Sequence, residues 1–243
     1  MDDLRASSLK LDDVSIIAIS THQASTAEGV RIRKVIHHGL DVDAIPLGSG
    51  DGGYICFLGR MCPDKGPVEA ALIARLAGIP LKIAAKMRET AEREYFDACL
   101  APLLCSDVEY VGELAAEDKY ALLGGAMALV NPIQWPEPFG LVMVETLATG
   151  TPVVATAYAS APEIVDDGVT GYLRSTPAEL PAALHAAAGL DRSACRNAAG
   201  ERFSAQRMVR EHLRLYADLI SRSAPESIFP DRAAASAAVS GAA

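Results

Sequence analysis

An α/β fold, a parallel sheet with helices packed on both faces, follows from three features of this 243-residue sequence. Short apolar runs rich in β-branched residues recur along the chain, segments of helical period separate them, and the connections are short. Alternation of this kind implies strands that run parallel, with helices returning the chain across the sheet.

Taken in order, the strands are expected at residues 14–19, 34–37, 54–59, 81–85, 108–111, 127–130 and 152–155. Val68, Leu72 and Leu76 recur every four residues on one helix face, and residues 91–104 read in the same way. Residues 141–148 form a helix that Gly150-Thr151-Pro152 closes, with glycine just past the helix end. Residues 204–221 make a last amphipathic helix carrying Met208, Val209, Leu213, Tyr216 and Ile220. The Ala- and Ser-rich stretch 224–243 has no period and reads as a flexible tail. Residues 48–53, Gly-Ser-Gly-Asp-Gly-Gly, read as a loop or hinge. Ahead of them stand one or two strands and a short helix, too little for a domain. The expected organisation is therefore a remnant of a preceding domain over 1–45, the sheet domain over 46–203, a helix over 204–223 and the tail.

Half of the residues are hydrophobic, which supports a sizeable core. With 31 acidic against 22 basic side chains the formal charge is −9, which argues against broad binding to nucleic acid or anionic lipid. Met1-Asp2-Asp3-Leu4-Arg5 lacks the apolar stretch of a secretory signal. No run approaches the roughly 18 apolar residues of a membrane span. The five cysteines form no C-x-x-C pair and are odd in number, so a reduced cytoplasmic setting is expected, without a disulfide framework or a zinc site.

Ligands of an open parallel sheet bind beyond the carboxyl ends of its strands, and two loops there are chemically loaded. The first runs from Gly59 to Pro67 and places Arg60 and Lys65 between glycines, just before a helix. A planar guanidinium fork and a compact ammonium suit a diphosphate, although an ordinary solvated loop would look the same. The second, 131–140, reads Asn-Pro-Ile-Gln-Trp-Pro-Glu-Pro-Phe-Gly and opens the helix 141–148, whose start offers unpaired N–H groups to an anion. Glu145 lies on that helix among Val142, Met143, Val144, Leu147 and Ala148, which cover most of its circumference. A carboxylate there needs a partner. A hydroxyl-rich ligand such as ribose and a buried pairing with Arg or Ser are both open. Glu137, in the loop, is either a dipole partner for the helix, worth about 0.3–1 kcal/mol, or a contact for sugar hydroxyls.

The histidines say less. His37-His38 stands at a strand end, either in a turn or at a domain junction, and His22 follows the first strand. No metal-binding spacing, Walker A pattern, Gly-x-Ser-x-Gly or Gly-x-Gly-x-x-Gly after a strand occurs.

Together these stretches resemble the C-terminal, donor-binding half of a family 4 glycosyltransferase with the GT-B fold, whose Rossmann-like domain would correspond to 46–203. The resemblance runs from about Val14 to Ile220. It rests on Glu137-Pro138-Phe139-Gly140-Leu141-Val142-Met143-Val144-Glu145, the family's E-x7-E signature, and on Ala148-Thr149-Gly150-Thr151-Pro152-Val153-Val154. Leu58-Gly59-Arg60 with Lys65-Gly66, Tyr110-Val111-Gly112-Glu113, and Pro162-Glu163-Ile164-Val165 with Asp167-Gly168 add to it. The resemblance assigns Arg60 and Lys65 to the donor diphosphate, the backbone of Phe139, Gly140 and Leu141 to the same phosphates or sugar, and Glu145 to ribose. Glu137 falls to the donor sugar, and Val111, Gly112 and Glu113 to the border of the nucleobase. Glu137, Arg60 and Lys65 would then be the catalytic set, without a metal or other cofactor, because fixed cations and a helix terminus neutralise the leaving diphosphate. The resemblance further implies retention of anomeric configuration.

The sequence departs from the family in three places. His38-Gly39-Leu40-Asp41 stands where Asn-Gly commonly precedes the Asp, Lys86-Met87-Arg88 replaces a glycine-rich turn, and the glycine expected shortly before Pro162 is replaced within Ala159-Ser160-Ala161. Most of the N-terminal, acceptor-side domain is expected to be missing, through truncation, a separate chain or a partial sequence. Three functions follow. The first is a retaining glycosyltransferase using a nucleotide-diphosphate-sugar donor and an unidentified acceptor (a glycan, lipid or small molecule). The second is a non-catalytic nucleotide-sugar-binding module, and the third a nucleotide-sugar 2-epimerase. An uncovered apolar face would favour self-association or a separate N-terminal half as partner.

Overall fold

A computed structural model describes residues 14–223 of the chain. Residues up to 208 belong to one compact unit and those from 209 to a second, which over its described part is the rest of a single helix. The tail expected over 224–243 lies outside the described residues, as do residues 1–13.

The first unit opens with β1 (Ile16–Ala18), α1 (Thr21–Thr26) and β2 (Ile32–Val35), whose two strands pair in parallel as a sheet of their own. Ser20 starts α1 by accepting the Gln23 N–H on its hydroxyl. Strand β2 begins two residues before its expected start, and His37 beyond it is engaged elsewhere, on Glu163.

The main sheet consists of β3 (Ile55–Arg60), β4 (Leu81–Lys86), β5 (Val108–Gly112), β6 (Leu129–Asn131), β7 (Val153–Thr156) and β8 (Gly171–Arg174). All pairings are parallel and the order is β5-β4-β3-β6-β7-β8. The chain thus winds outward in one direction from β3 and in the other from β6. Neighbouring β3 and β6 form the topological switch point of the sheet, the place beyond the strand ends where an open α/β sheet binds its ligands.

Strand β3 shows why both faces are covered. Ile55 and Phe57 enter the core on one side, while Cys56 and Leu58 pack on the other. On the Phe57 side lie α2 (Pro67–Ala77) and α7 (Leu180–Ala187), which pack against each other. On the Cys56 side lie α4 (Ala116–Gly125), α5 (Leu141–Ala148) and α8 (Arg192–Phe203). Phe57, Leu81, Met143 and Phe203 have less than 2 % of their surface exposed, and burying each such side chain stabilises by about 1.5–3 kcal/mol.

The helical reading of 91–104 breaks into three pieces. These are α3 (Thr90–Tyr95), a π-helical turn at Phe96–Leu100 and a 3-10 turn at Ala101–Leu103. Pro102 lacks the amide donor that a continuing helix would use. Edge strand β8 is absent from the expected set: it has four residues, starts on glycine and carries no alternating pattern. After the short helix α6 (Ala161–Ile164), the last element is α9 (Ala205–Ser223), close to the expected 204–221.

Candidate functional site

The loops that leave β3 and β6 meet. Beyond Arg60 a 3-10 turn, Pro63–Lys65, ends on Gly66 with φ +76°, and α2 starts directly after it. The Gln134 N–H of the second loop donates to the Asp64 carbonyl at 3.2 Å. A Cβ on Gly66 would lie 2.7 Å from the Pro132 carbonyl oxygen, so the approach needs both the missing side chain and the left-handed φ. From behind, Thr156 Oγ1 donates to the Ile133 carbonyl at 2.9 Å, and Ser160 Oγ lies 2.6 Å from the Phe139 carbonyl and 3.0 Å from that of Glu137. Gly140, with φ +92°, then turns the chain into α5.

These loops border a cleft of about 300 Å³ at the switch point. Two ammonium–carboxylate pairs line it. Lys65 Nζ donates to Glu137 Oε2, to which Trp135 Nε1 also donates at 3.1 Å, and the ammonium lies 5.2 Å from the centre of the Trp135 ring. Lys119 Nζ, on α4, donates to Glu145 Oε1 at 2.6 Å. All four side chains are about four-fifths buried, at 22 and 18 % exposure for the first pair and 21 and 17 % for the second. Leu58, Gly59, Asn131, Ile133, Gly140, Leu141 and Val142 complete the lining. The site therefore combines paired charges, apolar walls and the start of α5, a combination suited to a ligand with both phosphates and hydroxyls.

Of the residues singled out from the sequence, Lys65, Glu137, Gly140, Leu141 and Glu145 converge on this cleft. Arg60 ends β3 but is not among the lining residues; its half-exposed guanidinium lies 3.8 Å from the Glu92 carboxylate. Val111, Gly112 and Glu113 sit at the end of β5, likewise outside the lining. Glu113 is held by a two-pronged bond from Arg88, at 2.7 and 3.2 Å, which keeps its carboxyl below the usual range. Phe139 is buried, its ring in contact with His37, His38 and Phe203, so only its backbone faces the loop.

His37 reaches a distant carboxylate within the same compact unit. Its Nε2 lies 3.0 Å from Glu163 Oε2, and the same carboxylate accepts the N–H groups of Thr21 and His22 at 2.7 and 2.8 Å. Burial works to raise the Glu163 carboxyl, but those amides and His37 outweigh it and hold the group below its ordinary range. Glu163 thereby ties the start of α1 and the residues just after β2 to the short helix α6. Sequence reasoning gave no role to Lys119, Trp135 or this clamp. Lys119 sits in Glu117-Asp118-Lys119, which looks like any solvated helix start.

A second cavity, about 360 Å³, opens at the amino ends of the strands beside Ser49, Asp51, Met127, Pro152 and Arg192. Its cation is structural: the Arg192 guanidinium donates to the carbonyls of Gly48, Gly124 and Ala126 and to Thr151 Oγ1. Among the described residues no group of three His, Cys, Asp or Glu side chains could hold a metal ion, and no helix is long and apolar enough to cross a membrane.

Comparison with known proteins agrees with this architecture. The D-inositol 3-phosphate glycosyltransferase of Mycolicibacterium smegmatis is 32% identical over 154 residues, covering 57% of this chain and 35% of that protein. That of Mycobacterium avium is 32% identical over 176 residues, covering 67% and 41%. The chain thus spans about two fifths of the length of these curated relatives. Among solved structures, AviGT4, a glycosyltransferase involved in avilamycin A biosynthesis, superposes with a TM-score of 0.69 at 27% identity, over 84% of this chain and 64% of its own. The Anabaena protein HepE, solved in complex with UDP-glucose, shares the fold at a TM-score of 0.69 and 23% identity, over 84% and 64%. These are GT-B glycosyltransferases. Residues 45–187 match the family described as Glycosyl transferases group 1, and with more than half of its length inside that match the chain belongs to this family.

Proposed function

We propose that the chain is the donor-binding half of a retaining, metal-independent family 4 glycosyltransferase that uses a nucleotide-diphosphate-sugar. The observation that carries this reading is the convergence of Lys65, Glu137 and Glu145 on one cleft at the β3/β6 switch point, beside the start of α5. Lys65, with Arg60 at the loop entrance and the first N–H groups of α5, would neutralise the donor diphosphate. Glu145 would take ribose hydroxyls and Glu137 the hydroxyls of the sugar, while the end of β5, Val111 to Glu113, would border the base. In the transfer step the acceptor hydroxyl oxygen bonds to the anomeric carbon on the face the diphosphate leaves. The C–O bond to phosphate breaks, and the acceptor proton passes to the departing phosphate oxygen. Groups already fixed around the cleft stabilise the developing phosphate charge without reorganising, and such preorganisation usually contributes more to catalysis than any other single effect. HepE, crystallised with UDP-glucose, supports a uridine nucleotide as the first donor to test. The five thiols, all free, support a reduced cytoplasmic setting.

The test is calorimetric titration with UDP, GDP and ADP, read in parallel by fluorescence of Trp135, the single tryptophan of the chain. One nucleotide should bind and change the Trp135 emission, because its indole shares Glu137 with Lys65. Lys65→Ala should weaken binding about tenfold or more, the value of a lost charge-assisted hydrogen bond. A folded chain that binds none of the three, or binds equally after Lys65→Ala, would overturn the reading. Transfer itself is then assayed with nucleotide-sugar and acceptor panels.

A further inference from the structure

We infer that Lys119 is a positioning residue of the nucleotide site, setting the orientation of Glu145 so that this carboxylate presents its second oxygen to a ribose hydroxyl; the inference rests on the donor-site reading of Glu145. Among the described residues Lys119 is the hydrogen-bonding partner of Glu145, at 2.6 Å to Oε1. The two residues come from different helices, α4 and α5, and both line the cleft. The bond is therefore not a local pair within one helix surface, where such contacts are weak and adaptable. The ammonium is itself steered, lying 4.6 Å from the centre of the Tyr120 ring, a side chain packed against the core.

The geometry divides the carboxylate in two. Oε1 is taken by the ammonium, and among the described residues no hydrogen bond engages Oε2. A carboxylate fixed through one oxygen keeps a defined direction for acceptance at the other, whereas an unpaired one rotates and is solvated. Lys119 also balances Glu145 charge for charge, so the cleft is not left with a bare anion facing an incoming polyphosphate. Lys65 and Glu137 repeat the arrangement on the other side. Of these two ammonium groups, Lys65 leaves the β3 loop at the phosphate end, while Lys119 comes from α4 beneath the ribose end.

A mutant–ligand cycle separates this role from mere structural support. UDP and 2′,3′-dideoxy-UDP are titrated against wild type, Glu145→Ala, Lys119→Met and Lys119→Gln, with thermal melts as the folding control. Wild type should prefer UDP by about tenfold, one charge-assisted hydrogen bond, and Glu145→Ala should lose that preference. Lys119→Met and Lys119→Gln should lose it as well, binding UDP and 2′,3′-dideoxy-UDP about equally. Equal weakening of both nucleotides would make Lys119 a phosphate contact or a structural residue and overturn the inference, as would a preference left intact. If wild type shows no preference, the ribose role of Glu145 fails and takes the inference with it, a result distinct from the other two. Should one Lys119 variant not fold, the other carries the same readout, and failure of both to fold counts as a structural role.

Discussion

Gly66 and Pro132 stand so close that a Cβ on the glycine would lie 2.7 Å from the proline carbonyl oxygen. This contact joins the loop that carries Lys65 to the loop that carries Glu137, and it fixes the distance across which those two side chains pair. Gly66→Ala adds a methyl against rigid backbone and forces a non-glycine residue to φ +76°. The expected cost is about 1–3 kcal/mol of stability, read by urea denaturation. Nucleotide affinity should fall further than the same loss of stability at a distant site would produce. An unchanged denaturation midpoint would show that the loops move apart freely.

Ala159 is the one non-glycine residue with positive φ among those described, at +52°. It falls in the stretch where the family resemblance calls for glycine. A left-handed alanine costs about 1–2 kcal/mol, and glycine gives back about 0.4–1 kcal/mol through the freer unfolded chain. Ala159→Gly should therefore stabilise the protein by about 0.5–1 kcal/mol, seen as a higher denaturation midpoint with an unchanged slope. A lower midpoint would mean that the surrounding loop absorbs the strain.

These two positions show what the sequence made legible. A substituted glycine before Pro162 could be noticed on pattern alone, and the left-handed backbone there gives its physical reason. The sheet, its parallel sense and the two loaded loops follow from short-range patterns, because alternation of period and loop composition are local properties. Lys119 and Glu163 were opaque for the opposite reason. The partner of Lys119 is 26 residues away and that of His37 is 126 residues away, and nothing in a charged helix start or a Pro-Glu-Ile-Val run says which distant group it will meet. Residues 91–104 read as one helix because apolar spacing continues through the turns that break it. Arg60 is a similar case, since nothing in the composition of its loop foretold the Glu92 carboxylate 3.8 Å from its guanidinium.

Glu163 makes the tie between the α1–β2 segment and the main sheet sensitive to acid. Its carboxyl lies below the ordinary Glu value of 4.5 in the folded chain. The unfolded chain therefore binds a proton first as pH falls. The stabilisation is complete above the ordinary Glu range and is lost as pH drops through the lower folded value. Denaturation midpoints of wild type and Glu163→Gln should differ at neutral pH and converge as the pH falls below the ordinary Glu range. A constant difference across that range would show that ionisation of Glu163 contributes nothing to the tie.

The five free thiols should separate by environment when the folded protein meets a limiting amount of iodoacetamide. Burial pushes the Cys56 thiol up to about 12 and Cys195 up to about 11, so neither supplies thiolate at neutral pH, and both are enclosed in the core. Cys105 is exposed, and its thiol is held below the usual value by the Asp107 amide, with Arg75 adding its positive charge. Mass spectrometry after brief labelling should find Cys105 modified first, with Cys56 and Cys195 labelled only after denaturant is added. Raising the pH from 7 to 8 should accelerate Cys105 less than it accelerates a model thiol, because its thiolate fraction is already higher. Labelling of Cys56 at a rate matching Cys105 would mean that β3 opens to solvent in the native protein, and the packing that holds Lys65 and Glu137 together could not then be as rigid as the core around it implies.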